Sequence, residues 1–413
     1  MISDPNPWFQ SLFAERIGGS HYGKGTEIYK FEKIKRAKRA ALQAHPERRL
    51  LDFGIGENDA MADPLVRDVL KREVDKLENR GYADNGIAAF KEAAAAFMKK
   101  LFGVTLDPVS EVNHAIGSKP ALAMLPAVFI NPGDITLMTV PGYPVAATHT
   151  KYYGGEVYRL PLREENGFYP DLASLPADIR RRAKLLVLNY PNSPTGAVAT
   201  RRFYREVIDF AHTNQIVVVQ DAAHILLSYG EPPLSFLQVD GGREVGVEVH
   251  SLSKGFNMIG WRMAFVAGHS KIVQAFADVK DNCDSGQFMA IQHAARAALE
   301  HPEIAERIRE KYRRRLQKLV GALTQVGFRA RMPGGTYFLY VRAPRACGDR
   351  TFANAEEVSQ FFIQEQSLCC VPWDDAGPFL RFSVTYLAKD EAEEEALMAE
   401  TVERLGRLSL RFD

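Results

Sequence analysis

The residues with the clearest chemistry lie in the segment VHSLSKGFNMIGWRMAF, where Ser251 and Ser253 flank Lys254 and Arg262 follows eight residues after the lysine. A lysine amine becomes a nucleophile when desolvation and nearby cations lower its proton affinity, and it then forms a Schiff base with an aldehyde. Alone, a lysine after a serine-rich strand end is more often a surface turn. Here other polar residues stand in similar positions. IVVVQDAAH ends in Asp221 with His224 three residues on, LLVLNYPNSPTGAV carries Asn192 and Ser193 into a Pro-Thr-Gly turn, and VPGYPVA carries Tyr143. AIGSKPALAML reads as a strand, a tight Gly117-Ser118-Lys119 turn and a helix start. The N–H groups of such a helix start, with a serine hydroxyl, suit a phosphate, and Arg262 can add a bidentate, charge-assisted contact. A carboxylate such as Asp221 keeps a pyridine nitrogen protonated and the ring electron-withdrawing, and the flat side chain of Tyr143 can stack on that ring. These are the groups that pyridoxal 5'-phosphate, used as an electron sink, would need.

The elements that must position these groups are legible in the periodicity. The runs ITLMTV (135–140), LLVLN (185–189), IVVVQD (216–221) and VGVEVHSL (245–252) are short and rich in branched residues, so each reads as a buried strand. LLDFGIG from Leu50 reads as another. Helical patterns separate them, for example at 91–102 and 201–214. Alternation of this kind predicts an α/β domain with a mostly parallel sheet, whose strand ends are where ligands bind. From about residue 296 a long charged helix precedes strand-like runs at 336–342 and 379–386, an α+β pattern. With 413 residues, two linked domains are expected. The division is an N-terminal arm with part of the small domain (1–49), a large cofactor domain (50–295) and a small C-terminal domain (296–413). KFEKIKRAKRAALQAHPERR reads as an exposed amphipathic helix, or an arm that touches a partner subunit.

Taken in order, these motifs resemble the fold-type-I, class I/II pyridoxal-phosphate-dependent aminotransferases across nearly the whole chain. The resemblance implies that Lys254 carries the cofactor and is the catalytic base, that Asp221 faces the pyridine nitrogen, and that Tyr143 stacks on the ring. It assigns the phosphate to Ser118, Lys119, Ser251, Ser253 and Arg262. Tyr82, in RGYADNG, matches the tyrosine that reaches the neighbouring subunit's phosphate, which implies a homodimer with shared sites. Arg381, in FLRFSV, matches the arginine that grips a substrate α-carboxylate, with Gly56 and Lys119 beside the substrate. Two positions depart from the pattern. Ser193 stands where the family has asparagine before Pro-Thr-Gly, with Asn192 one place earlier. His224 stands where it has tyrosine. Both remain hydrogen-bond donors to the cofactor's phenolic oxygen, and which of Asn192 and Ser193 faces the cofactor stays open at this point. The Gly-Ser-Lys turn, RGYADNG and GIGEND most resemble the LL-diaminopimelate aminotransferase group, which acts in lysine biosynthesis with 2-oxoglutarate as acceptor. Aspartate, aromatic or alanine aminotransferases, a lyase on the same scaffold and a non-catalytic sensor are the alternatives.

Other readings fit less well. Gly54 and Gly56 lack the third glycine of a dinucleotide loop. Asp221 and His224 have possible metal spacing without a third ligand, so no metal is expected. Pro333, Gly334 and Gly335 read as a turn able to move over a substrate, and the tryptophans as core. The formal net charge is +1, which calls for no nucleic acid. No apolar run is long enough for a membrane span. None of the four cysteines forms a CxxC pair, Cys369 and Cys370 read as a buried strand, and a cytoplasmic location is expected.

Overall fold

The branched apolar runs in the middle of the chain assemble into one seven-stranded sheet in this computed structural model, which describes residues 7–24 and 30–412. In chain order the strands are Val112–Ala115 (β1), Ile135–Val140 (β2), Glu156–Pro161 (β3), Ala183–Asn189 (β4), Val217–Asp221 (β5), Gly246–Ser251 (β6) and Ala264–Gly268 (β7). Their spatial order is β1-β7-β6-β5-β4-β2-β3. Neighbours from β3 to β6 pair in parallel, whereas β7 runs antiparallel to both β6 and β1. Helices cover both faces, which is why β4 shows no polar alternation: Leu185 and Val187 meet one layer, Leu186 and Leu188 the other. The helix Arg201–Asn214 illustrates the local logic. Thr200 caps it by accepting from the Phe203 N–H, and Phe203, Tyr204, Val207, Ile208 and Ala211 repeat at helical spacing on its buried side.

The smaller part of the molecule is built around an antiparallel sheet of Val371–Trp373, Phe379–Ser383 and Phe338–Arg342. The long helix Glu303–Gln325 leads into it. Leu51–Asp52 pairs with Leu368–Cys369 rather than with the large sheet, so this pair joins residues from both sides of the boundary expected near residue 50. The expected N-terminal helix forms over Lys30–Ala44, but one of its faces is not solvated. Ile34, Ala37 and Ala41 pack against Ile363, Cys369 and Val371, because a stripe of small and branched residues recurs among its lysines and arginines. Cys369 and Cys370 are buried as expected.

A buried ion network ties the two parts together. The Arg315 side chain is wholly buried and donates to Glu394 at 2.7 Å, to Asp59 at 3.0 Å, and to the main-chain oxygens of Val384 and Tyr386, each at 3.0 Å. Asp59 also accepts from Lys311 at 2.6 Å and from the Tyr312 hydroxyl at 3.0 Å. Burial pushes the Asp59 carboxyl up, but the Lys311 hydrogen bond and the Arg315 charge outweigh it and leave it below its ordinary value. The stretch Gly54–Asp59 is thereby fixed to the long helix and to the helix Glu391–Gly406. Replacing Arg315 with alanine removes one buried partner from each of Asp59 and Glu394, which keep Lys311 and Arg314 with Lys318 respectively, and a loss of about 1.5–3 kcal/mol in urea unfolding is expected. Arg313→Ala, which removes an exposed pair with Glu310, should leave the unfolding midpoint unchanged.

Candidate active site

The strand directions decide which side chains meet. The C-terminal ends of β1, β2, β4, β5 and β6 lie along one edge of the sheet, and the reversed β7 begins at that edge. Five strand exits therefore deliver Ser118, Tyr143, Asn192 with Ser193, Asp221 with His224, and Lys254 to one place, and the entry to β7 delivers Arg262.

At one side of this edge the chain makes an anion cradle. Gly117 adopts φ 85°, and a Cβ placed on it would lie 2.2 Å from an Arg262 nitrogen, so only glycine lets the guanidinium close over the turn. Arg262 itself sits at φ 57°. Its Nη1 donates to the Ile259 oxygen at 2.8 Å and reaches Ser253 Oγ at 3.5 Å. Ser118 opens the helix Ser118–Phe129, whose first N–H groups have no intrahelical acceptor. Ser251 Oγ accepts from the Ser253 N–H at 3.2 Å and shapes the short turn that carries Lys254. Lys119 shares the first helical turn but is exposed.

Lys254 Nζ donates to the Gly56 carbonyl at 3.1 Å and lies 5.5 Å above the Tyr337 ring. The Tyr337 hydroxyl donates to the same carbonyl at 2.8 Å, and Asn58 Nδ2 holds the Lys254 carbonyl at 2.8 Å. Asp221 is buried, and burial pushes its carboxyl up to about 6 against the opposing effects of the Ala223 N–H, His250 and Lys254. His224 is also buried; burial, then Lys254 and Arg381, push its imidazole down to about 3, so it is neutral. Its Nδ1 has no partner among the described residues.

At the Pro-Thr-Gly turn the two adjacent residues have different partners. Asn192 Oδ1 accepts from the Thr195 N–H at 3.1 Å and from its hydroxyl at 2.7 Å, while Nδ2 approaches the Pro141 oxygen at 3.4 Å. Asn192 is thus engaged in building the turn. Ser193 uses its main-chain N–H on Asn189 at 2.8 Å, and no hydrogen bond occupies its hydroxyl among the described residues.

Arg381 comes from the small antiparallel sheet, on the strand Phe379–Ser383. It is buried, donates to the Gly54 carbonyl at 3.1 Å, and packs its guanidinium 4.1 Å from the Phe338 ring centre and 5.8 Å from that of Trp373. Among the described residues it has no carboxylate partner, and its Nε is left without an acceptor. Burial pushes this guanidinium down to about 10. A buried cation with an unused donor is a receptor for an anion. Tyr82 is 83% exposed, and Tyr143 is half-exposed beside the Asn192 turn.

Sequence reasoning missed Tyr337, Phe338, Asn58 and Trp373. The reading of the tryptophans as core fails for Trp8, which is exposed; Trp261 and Trp373 pack against the hydrophobic clusters, and Trp373 also lies between Arg381 and Lys30, whose Nζ is 4.1 Å from its ring centre. Pro333–Gly335 is no free flap either. Gly335 donates to the Gly196 oxygen, Tyr229 donates to Gly334, and a Cβ on Gly335 would lie 2.5 Å from Pro191, so the turn is pinned to the Pro-Thr-Gly loop.

The residues present fit pyridoxal 5'-phosphate. The glycine-lined cradle suits its phosphate, Asp221 lacks the cation that a protonated ring nitrogen supplies, and the unpartnered His224 Nδ1 awaits a polar group. Fold and site together define a pyridoxal-phosphate-dependent enzyme of the fold-type-I class. The chain belongs to the aminotransferase class I and II family, whose model matches residues 48–397. The LL-diaminopimelate aminotransferase of Methanocaldococcus jannaschii is 57% identical over 98% of this chain and 99% of its own. The protein of the same name from Methanococcus maripaludis is 55% identical, with 98% and 99% covered. Among solved structures, substrate-bound BacF from Bacillus subtilis is 30% identical and superposes with a TM-score of 0.84, covering 100% of this chain and 99% of that one.

The raised Asp221 carboxyl has a measurable signature. An acid whose folded value exceeds its unfolded value of 3.8 stabilises the fold only while protonated, so that contribution is lost as pH rises through about 6. Asp221→Asn should therefore raise the melting temperature of the cofactor-free protein at neutral pH, with the gain vanishing in acid. The wild-type affinity for pyridoxal phosphate should fall as pH drops below about 6.

Proposed function

We propose that this aminotransferase takes an amino group from LL-diaminopimelate and gives it to 2-oxoglutarate, in lysine biosynthesis. The observation that carries the substrate is the likeness, along nearly the full length of both chains, to two archaeal enzymes bearing that name. The geometry supports the chemistry common to the family. Pyridoxal phosphate, when bound, supplies an aldehyde that accepts the substrate's nitrogen and a ring that withdraws electrons from its α-carbon.

The chain's own residues do the rest. Ser118, Ser253 and Arg262 would anchor the phosphate, and Asp221 would keep the ring nitrogen protonated. Tyr143 would stack on the ring. His224 and Ser193 would serve the phenolic oxygen as neutral donors. Arg381 grips the α-carboxylate; its stacking on Phe338 leaves that fork already oriented, so little order has to be imposed when substrate arrives. The Lys254 amine, once free of the cofactor, would serve as the base that takes the proton from the substrate's α-carbon. Gly56, whose carbonyl accepts from the Lys254 amine, also stands beside the arginine, since a Cβ on it would lie 3.9 Å from an Arg381 nitrogen. Lys119, exposed at the cradle's rim, is available to the substrate's far end. Tyr82 completes the phosphate contacts of a partner subunit, so that the active enzyme is a homodimer.

Absorbance titration with single amino acids tests this reading. LL-diaminopimelate and glutamate should convert the bound cofactor from its aldehyde to its amine form, while aspartate, alanine and phenylalanine should not. Conversion by other donors without LL-diaminopimelate would remove the substrate assignment. Arg381→Lys, which loses the planar fork, should raise the KM for the amino donor by about tenfold or more, with cofactor affinity unchanged.

A further inference from the structure

The loop that carries Tyr82 is braced from behind with unusual thoroughness. The Lys280 side chain, wholly buried, donates to the Asp84 carbonyl and pairs with Asp284 at 2.5 Å. Asn85 is bonded by Asn113 at 2.7 Å and itself bonds Asp281 at 2.6 Å. Gly86 adopts φ 91° and leaves no room for a Cβ, which would lie 2.4 Å from His114. The Ile87 N–H donates to Gln292 Oε1 at 2.8 Å, and Gln292 Nε2 donates to the Gln287 carbonyl at 2.7 Å. An exposed tyrosine held on so rigid a base is presented rather than left to wander.

The same network reaches the anion cradle. Gln287 Nε2 donates to the Trp261 carbonyl at 2.6 Å, and Trp261 directly precedes Arg262. Gln287 Oε1 lies 3.0 Å from His114 Nε2. Since the amide nitrogen is spent on Trp261, the oxygen must accept from the imidazole; burial pushes His114 down to about 4 and leaves it neutral with one N–H to give. The Gln287 side chain thus bridges the Arg262 turn and the ring against which the Tyr82 loop packs.

We propose that Gln287 is a positioning residue for two cofactor sites at once. Its amide fixes the Arg262 turn of its own subunit, and through His114 it fixes the loop that offers Tyr82 to the partner's phosphate. This rests on the reading that Tyr82 crosses the dimer. It goes further by making one buried amide set the phosphate contacts of both sites, so that a defect in one subunit is felt in the other.

Mixed dimers separate the two claims. One subunit is left unchanged, and its companion carries Lys254→Ala, alone or with either Gln287→Leu or Tyr82→Phe. After equilibration with pyridoxal phosphate, borohydride fixes the cofactor to Lys254 of the unchanged subunit only, and intact mass reports its occupancy. The unchanged subunit keeps its own cradle, so any weakening comes from across the interface, which a merely local packing defect would not produce. Adding Gln287→Leu to the companion should raise the half-saturating concentration about three- to tenfold, the scale of one hydrogen bond. Adding Tyr82→Phe should raise it similarly. A shift with Tyr82→Phe and none with Gln287→Leu overturns the role of Gln287 and leaves the crossing tyrosine standing. No shift with either removes the crossing itself and the inference with it. Should Gln287→Leu subunits fail to fold, Gln287→Asn keeps the amide but shortens its reach, and the same comparison applies.

Discussion

The molecule depends on one topological constraint: neighbouring strands from β3 to β6 run one way and β7 runs the other. Parallel strands place their C-terminal ends on a common edge, and a single reversed strand brings an entry point to the edge where its neighbours have exits. That is how Arg262 comes to face Gly117, from a part of the chain far away in sequence. Crossover helices cover both faces of the sheet, so the strands are largely apolar on both sides; buried polar groups within them, such as Gln220 and Glu248, are hydrogen-bonded inside the protein, and those open to a ligand stand at the strand ends. The site is the place where burial and polarity are forced to meet.

The consequence is a set of charges without protein counter-charges. Asp221 is held above its ordinary value and Arg381 below its own, and in both cases burial is the largest cause. Such groups destabilise the empty protein, and the surrounding structure must absorb the cost. Arg315 is equally buried, but Asp59 and Glu394 meet its charge, and it serves as a joint between the two parts of the chain. Two buried arginines thus have opposite roles, and the presence or absence of a carboxylate partner tells them apart. The same joint holds the stretch from Gly54 to Asp59, whose carbonyls orient Lys254 and Arg381.

Most of the large sheet and its site were legible in the sequence because both rest on local signals. Short branched runs gave the strands, and the residue just past each run gave a candidate. The strand at Ile135–Val140 and the helix at Arg201–Asn214 fall where the periodicity places them. What escaped depends on contacts between distant segments. Nothing local marks Leu51–Asp52 as a partner of Leu368–Cys369, or β7 as reversed. The aromatic setting of Arg381 joins Phe338 and Trp373 from different strands of the small sheet, and each alone resembles core. Asn192 and Ser193 are adjacent in sequence and alike in chemistry; only the Thr195 contacts separate the turn builder from the free hydroxyl. Gln287 shows no sequence motif, since its importance lies in what its two ends touch.

The central claim is that Lys254 carries the cofactor at this strand edge. The most direct test is to saturate the protein with pyridoxal phosphate, reduce it with borohydride and map the modified peptide by mass spectrometry. The account predicts one cofactor per chain, attached at Lys254 in the peptide around SLSKGF. Attachment at another lysine, or none at saturation, would contradict it.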